Sequence, residues 1–211
     1  MSRHVSPSIV ALVAGACLLA LASCSAGPRG FDDASVSSGG RSPSSHPAEP
    51  AVAGHCGAQG DPASVAGDVT VPDGATCELR GVRVEGNISV GHRARLYARG
   101  VDVDGDIEGE GTSAVEVTDG SVVGGNLQLE SGGSAVVSDS HIGGDLSWEE
   151  QRGKLRAEGS TVSGNLELDG NTGEIRVSHN KIHGDLTCEE NALVPVGGDN
   201  AVSGDEGGQC H

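Results

Sequence analysis

Asp102, Asp104 and Asp106 alternate with Val101, Val103 and Ile107, and Glu108 and Glu110 follow directly. Carboxylates at every second residue of an extended chain share one face, so this run has the donor type and the crowding that a hard cation such as Ca²⁺ takes. It lacks the glycine and terminal glutamate of an EF-hand loop, and no GGxGxD nonapeptide occurs in the chain. The expectation is a solvated acidic face and no cofactor, with Asp102, Asp104 and Asp106 the one place where Ca²⁺ would be sought. His179, Lys181 and His183 also share parity in one strand. Their two imidazoles would stand about 13 Å apart if extended, too far to share a metal. Trp148 takes a position held elsewhere by Leu129 and Leu168, which reads as core filling or a local bulge beside Glu149-Glu150-Gln151.

Cysteine chemistry divides in two. Arg3 gives a short basic start, residues 9–22 an apolar core, and Leu21-Ala22-Ser23-Cys24 fits the lipobox of a bacterial lipoprotein signal. Residues 1–23 are therefore expected to be a signal peptide and Cys24 the acylated first residue of the mature chain. An ordinary cleaved signal peptide and an uncleaved anchor are the alternatives. Setting aside Cys17 inside the signal leaves Cys56, Cys77, Cys188 and Cys210. In an exported chain an even count argues for disulfides, and four cysteines allow three pairings. Cys77 occupies a slot equivalent to Leu96 and Cys188 one equivalent to Leu168, so Cys56–Cys77 and Cys188–Cys210 bridges would pin a terminal segment over each end. A four-cysteine zinc site would need a CxxC spacing, which does not occur.

Composition narrows the function classes. The chain holds 13 basic and 30 acidic residues, a formal net charge of −17, and one each of Phe, Tyr and Trp. Nucleic acid and anionic lipid surfaces are poor partners for such a chain, and little aromatic surface is present for stacking sugars or bases. Lyase chemistry on a sugar needs a basic side chain beside a cation, and hydrolysis needs convergent carboxylates. Only Lys154 and Lys181 are lysines, and Arg83, Asp102, Val122, His141, Thr161 and Lys181 recur at one repeat position without forming a catalytic set.

These residues are positioned by a repeat. Gly67-Asp68, Gly86-Asn87, Gly105-Asp106, Gly125-Asn126, Gly144-Asp145, Gly164-Asn165, Gly184-Asp185 and Gly204-Asp205 recur at intervals of 19, 19, 20, 19, 20, 20 and 20 residues. A fixed period near 20 is the signature of a solenoid with one coil per repeat. Units such as Val123-x-Gly125-Asn126-Leu127-x-Leu129 carry the period-2 pattern of a strand with one buried face, and the glycine falls in an inward slot. Pairs such as Val115-x-Val117 and Ile175-x-Val177 place a second strand in each coil. About 20 residues cannot hold a strand plus a crossover helix. The expected fold is all-β: a right-handed parallel β-helix of about seven coils over residues 55–211, with disulfide-capped ends. Residues 24–54, rich in Ser, Gly, Pro and Ala, read as a disordered tether.

Two polar columns are expected along the stack. Ser121, Ser140, Ser160, Asn180 and Asn200 point inward at a corner by parity, and the residue after each cassette glycine alternates Asp and Asn up to Asp185. An amide between two carboxylates can donate to each, so the alternation reads as a way to stack an acidic column.

Val69-Thr-Val-Pro-Asp-Gly-Ala-Thr-Cys77-x-Leu79, the repeated Val-x-Gly-Asn-Leu-x-Leu, and the ending from Asn180 through Cys188 and Asn191 to Gln209-Cys210 resemble a family of secreted or lipid-anchored β-solenoid proteins common in actinobacteria. The likeness covers residues 56 to 210. It implies the fold and an envelope address, and it supplies no catalytic residues. A looser likeness to bactofilins implies end-to-end assembly, against which the disulfide caps and lipid anchor argue. The expected function is a non-enzymatic cell-envelope lipoprotein, monomeric and extracytoplasmic, that presents an acidic rod as a structural or binding module. Its partner classes are the membrane, through the anchor alone, and an envelope polysaccharide or protein. A β-helix lyase or hydrolase and a polymerising scaffold are the alternatives.

Overall fold

The structure, a computed structural model, describes residues 63–210. The expected signal peptide, tether, Cys24 and Cys56 lie outside the described residues. Those described form three parallel sheets and no helix. The first sheet stacks eight two-residue strands from Ser64–Val65 to Ala201–Val202, and the second stacks eight from Val69–Val71 to Glu206–Gly208. The third stacks seven from Thr76–Arg80 to Val196–Gly198. Every coil visits the three sheets in that order and pairs with the coils before and after it, which makes a β-solenoid of about seven turns.

The stack is in register. Val84 lies over Val65, Val103 over Val84 and Val123 over Val103, so side chains of equivalent residues form columns. Apolar columns line a thin interior: in one coil Val84, Ile88, Val90, Leu96 and Ala98 are all buried. Each change from 19 to 20 residues has a local cause: between Gly105 and Gly125 the bend from the third sheet to the first is one residue longer, because Val117 stacks on Ala98 while Val123 stacks on Val103. From the coil of Trp148 onward, the bend between second and third sheets is one residue longer, because Trp148 stacks on Leu129 while Leu155 stacks on Ala135. Trp148 itself is inward and fully buried, and the bulge expected beside it is this longer bend.

Each coil has three strands, within the expectation of at least two, since the run from Val84 to Val90 is split by a bend at Gly86-Asn87 into Arg83–Val84 and Ile88–Val90. Period-2 alternation passes through the corner because both flanking strands face the same interior. One expectation needs correction: the cassette glycine does not point inward. Gly86 is half-buried, and a Cβ there would strike the Asp68 carboxylate and the Gly67 backbone of the preceding coil. The same obstacle, an Asp or Asn side chain from the coil before, recurs at Gly105, Gly125, Gly144, Gly164, Gly184 and Gly204.

That side chain is held there by a ladder. Asp68 Oδ1 accepts from the Asn87 amide at 2.8 Å, Asn126 Oδ1 from Asp145 at 2.8 Å, Asp145 Oδ1 from Asn165 at 2.7 Å, and so on to Asp185 and Asp205. The donor is a backbone N–H at every rung, so Asp and Asn serve equally. A side-chain amide donates only from Asn87 to Asp68, at 3.2 Å. Alternation therefore acts by spacing like charges two coils, about 10 Å, apart, which is roughly a Debye length.

The inward polar corner forms as expected. Ser121, Ser140, Ser160 and Asn180 are buried, and Ser160 Oγ and Asn180 Oδ1 accept the backbone amides of Ser140 and Ser160 at 3.2 and 3.0 Å. A second buried corner was not anticipated: Thr112, Gln151, Asn171 and Asn191. Asn171 Oδ1 accepts from Gln151 N, and its amide donates to the Trp148 carbonyl. Asn191 repeats both bonds one coil on, and Gln209 closes the row. Gly132 interrupts it, and on either side Thr112 Oγ1 and Gln151 Oε1 lack a hydrogen-bond partner.

Candidate functional site

The in-register stack turns any residue placed once per coil into a line along the rod. On the outward face of the second sheet, Glu110, Glu130, Glu149, Asp169 and Glu189 stack in five consecutive coils. Strand spacing puts neighbours about 4.8 Å apart. Two residues earlier in each strand runs Glu108, Gln128, Ser147, Glu167 and Thr187. All five carboxylates of the outer line are exposed, and none belongs to an ion pair among the described residues. Ser147 donates to Glu149 at 3.2 Å. Between the two lines lies a shallow groove of ≈ 520 Å³ with Ser89, Gly91 and Gln128 in its wall.

The third sheet contrasts with it. Its strands carry Arg80, Arg95, Arg99, Arg156 and Arg176. Glu78 pairs with Arg80 at 3.4 Å, Glu116 with Arg99 at 3.7 Å, and Glu158 with Arg156 and Arg176 at 3.0 and 3.6 Å. Lys154, at the edge of the sheet, pairs with Glu174 at 3.1 Å. Six of the ten lysines and arginines among the described residues thus lie on one face, and five of the six face acids there.

The sequence-predicted Ca²⁺ candidates do not converge. Arg83, one coil below, donates to Asp102 at 2.5 Å and to both oxygens of Asp104 at 2.6 and 2.8 Å. Asp106 belongs to the bend ladder and accepts from Asn126 N at 2.6 Å. The Asp102 carboxylate first, then that of Asp104, holds the Arg83 guanidinium above its ordinary pKa. A cation at that spot would have to displace an arginine. His179, Lys181 and His183 are not one extended strand, because His179 has a positive φ of 57° and the chain bends there between Ile175–Ser178 and Lys181–Ile182. His179 reaches Asp199 at 3.6 Å.

Cys188 and Cys210 form a disulfide, with Cα atoms 5.3 Å apart, that ties the last coil to the one before. Cys77 is buried in the slot of Leu96 and is also disulfide-bonded; its partner lies outside the described residues.

Chemically, the acidic line offers carboxylates near the separation of a retaining glycosidase pair, about 5 Å. Such a pair works because different surroundings make one member an acid and the other a nucleophile. These members share the same exposed surroundings on a flat sheet, with no wall to exclude water. The arrangement suits multivalent attraction of positive charge along a line. The line was legible as an acid five residues after the cassette glycines Gly105, Gly125, Gly144, Gly164 and Gly184, a signal masked by the abundance of acids elsewhere. No family model matches the chain, and neither a curated protein nor a solved structure matches it.

Proposed function

We propose that this chain is a cell-envelope lipoprotein which holds an acidic parallel β-solenoid outside the membrane as a non-catalytic binding module, its working surface the outward face of the second sheet. The observation that carries the reading is the unneutralised row Glu110, Glu130, Glu149, Asp169 and Glu189, set on a rigid repeat while the third sheet pairs its charges. A flat row of like charges favours a long cationic envelope component over a small substrate, because many weak contacts add along the line. The lipobox ending at Cys24 and the Ser/Gly/Pro-rich residues 24–54 supply the anchor and the reach.

The test has two arms. Mature rod and a variant carrying Glu110→Gln, Glu130→Gln, Glu149→Gln, Asp169→Asn and Glu189→Gln are immobilised and exposed to envelope extract. Retention that falls with salt and is lost in the variant supports the reading, and equal retention by both overturns it. In cells, globomycin should accumulate the unprocessed precursor; processing that ignores the drug refutes lipidation at Cys24.

A further inference from the structure

Of the four exposed large apolar side chains among the described residues, three sit together in the last coil: Leu193 at 49 %, Val194 at 67 % and Val196 at 54 % exposure. Exposed apolar groups scattered singly need no account, but a concentrated set at a groove does. Their position has a steric cause. In the three preceding coils the equivalent of Leu193 is glycine: Gly133, Gly153 and Gly173. A Cβ at Gly173 would collide with the carbonyl of Gly153, and one at Gly133 with that of Ser113. Leucine in that column cannot seat as glycine does. The coil is still stacked at Ala192, whose amide donates to the Asn171 carbonyl at 2.8 Å. Pairing in the third sheet then resumes only at Arg176 with Val196, one residue later than Leu155 with Ile175 in the coil before.

The displaced segment forms a lip over the third sheet and encloses a groove of ≈ 560 Å³. Leu193, Val194, Val196 and Val136 give it apolar walls, while Lys154, Arg156 and Arg176 bring cations against one lining acid, Glu174. Glu158, beside it, pairs with both arginines, so the neighbourhood keeps a net positive charge on a rod that is otherwise strongly acidic. Apolar walls with an excess of guanidinium and ammonium groups complement a single molecular type, an alkyl chain ending in an anion.

We propose that this groove binds a free long-chain carboxylate, the chain lying along Leu193, Val194 and Val196 and the carboxylate meeting Arg156 and Arg176. The site is independent of the acidic row on the second sheet. Dodecanoate, titrated below its micelle concentration into the full mature chain by calorimetry, should bind, and dodecyltrimethylammonium should not. Val194→Asp should weaken dodecanoate about tenfold by placing a charge where the chain is buried. Leu193→Gly, which restores the glycine column and lets the lip close, should abolish binding while leaving the melting midpoint unchanged or higher. Equal binding of the two amphiphiles, or undiminished binding in both variants, overturns the proposal. So does capture by phosphatidylglycerol vesicles without binding of free dodecanoate, which would make the lip a membrane contact instead.

Discussion

The second and third sheets share a backbone, an interior and a register, yet their outward faces are opposites. The second sheet stacks Glu110, Glu130, Glu149, Asp169 and Glu189, none of them in an ion pair among the described residues. The third stacks Tyr97, Glu116, Val136, Arg156 and Arg176 in one column and places Glu158 against two of its arginines. In a zero-offset solenoid a choice made once per coil is repeated about every 4.8 Å, so charge either cancels along a column or accumulates. Accumulation costs roughly 1 kcal/mol per neighbouring pair at most, and less in salt, since the groups are solvated. The interior can carry that cost, and the outward faces are therefore free to diverge.

Four substitutions break or sharpen this contrast. The largest effect should come from Gly144→Ala, which removes the scaffold common to both faces: its Cβ would strike the Asn126 side chain and the Gly125 backbone. A loss of about 3 kcal/mol in chemical denaturation is expected, typical of overpacking against backbone, with both faces lost together. Next is Asn171→Ala, at the corner joining the two sheets. It leaves the Gln151 amide and the Trp148 carbonyl without their Asn171 partners, and a loss of about 2 kcal/mol is expected. A change below about 0.5 kcal/mol, the noise of such measurements, would mean that the corner is not what holds the sheets.

The smallest effects should differ in sign. Glu149→Gln relieves repulsion from Glu130 and Asp169 and should raise the melting midpoint slightly at low salt, by an amount that fades in 1 M NaCl, where the Debye length is about 3 Å. Glu158→Gln removes a partner from Arg156 and Arg176 and should lower it, on the order of 0.5 kcal/mol. Matching signs for the two would erase the distinction between the faces.

Much of this was legible in the residues. The cassette interval located each coil, the parity of Ser121, Ser140, Ser160 and Asn180 placed them at an inward corner, and the spacing of Cys188 and Cys210 matched their bridge. The corner of Thr112, Gln151, Asn171 and Asn191 escaped notice because the lengthened bend after Trp148 shifts its phase and Gly132 interrupts it. The purpose of the Asp and Asn alternation was misjudged for a different reason. Sequence displays side chains, whereas the bond that matters is donated by a backbone amide of the next coil.

The amino-acid sequence by itself determined the coil length, the all-β class and which aliphatic residues line the interior, because period-2 burial and a 20-residue repeat are local properties of the chain. Only the tertiary structure decided where each coil bends, that Arg83 occupies the carboxylates of Asp102 and Asp104, and that Leu193, Val194 and Val196 of the last coil stand exposed beside a groove. Those outcomes depend on which atoms of one coil lie against the next. Contacts between residues some 20 positions apart are set by stacking geometry that no single repeat encodes.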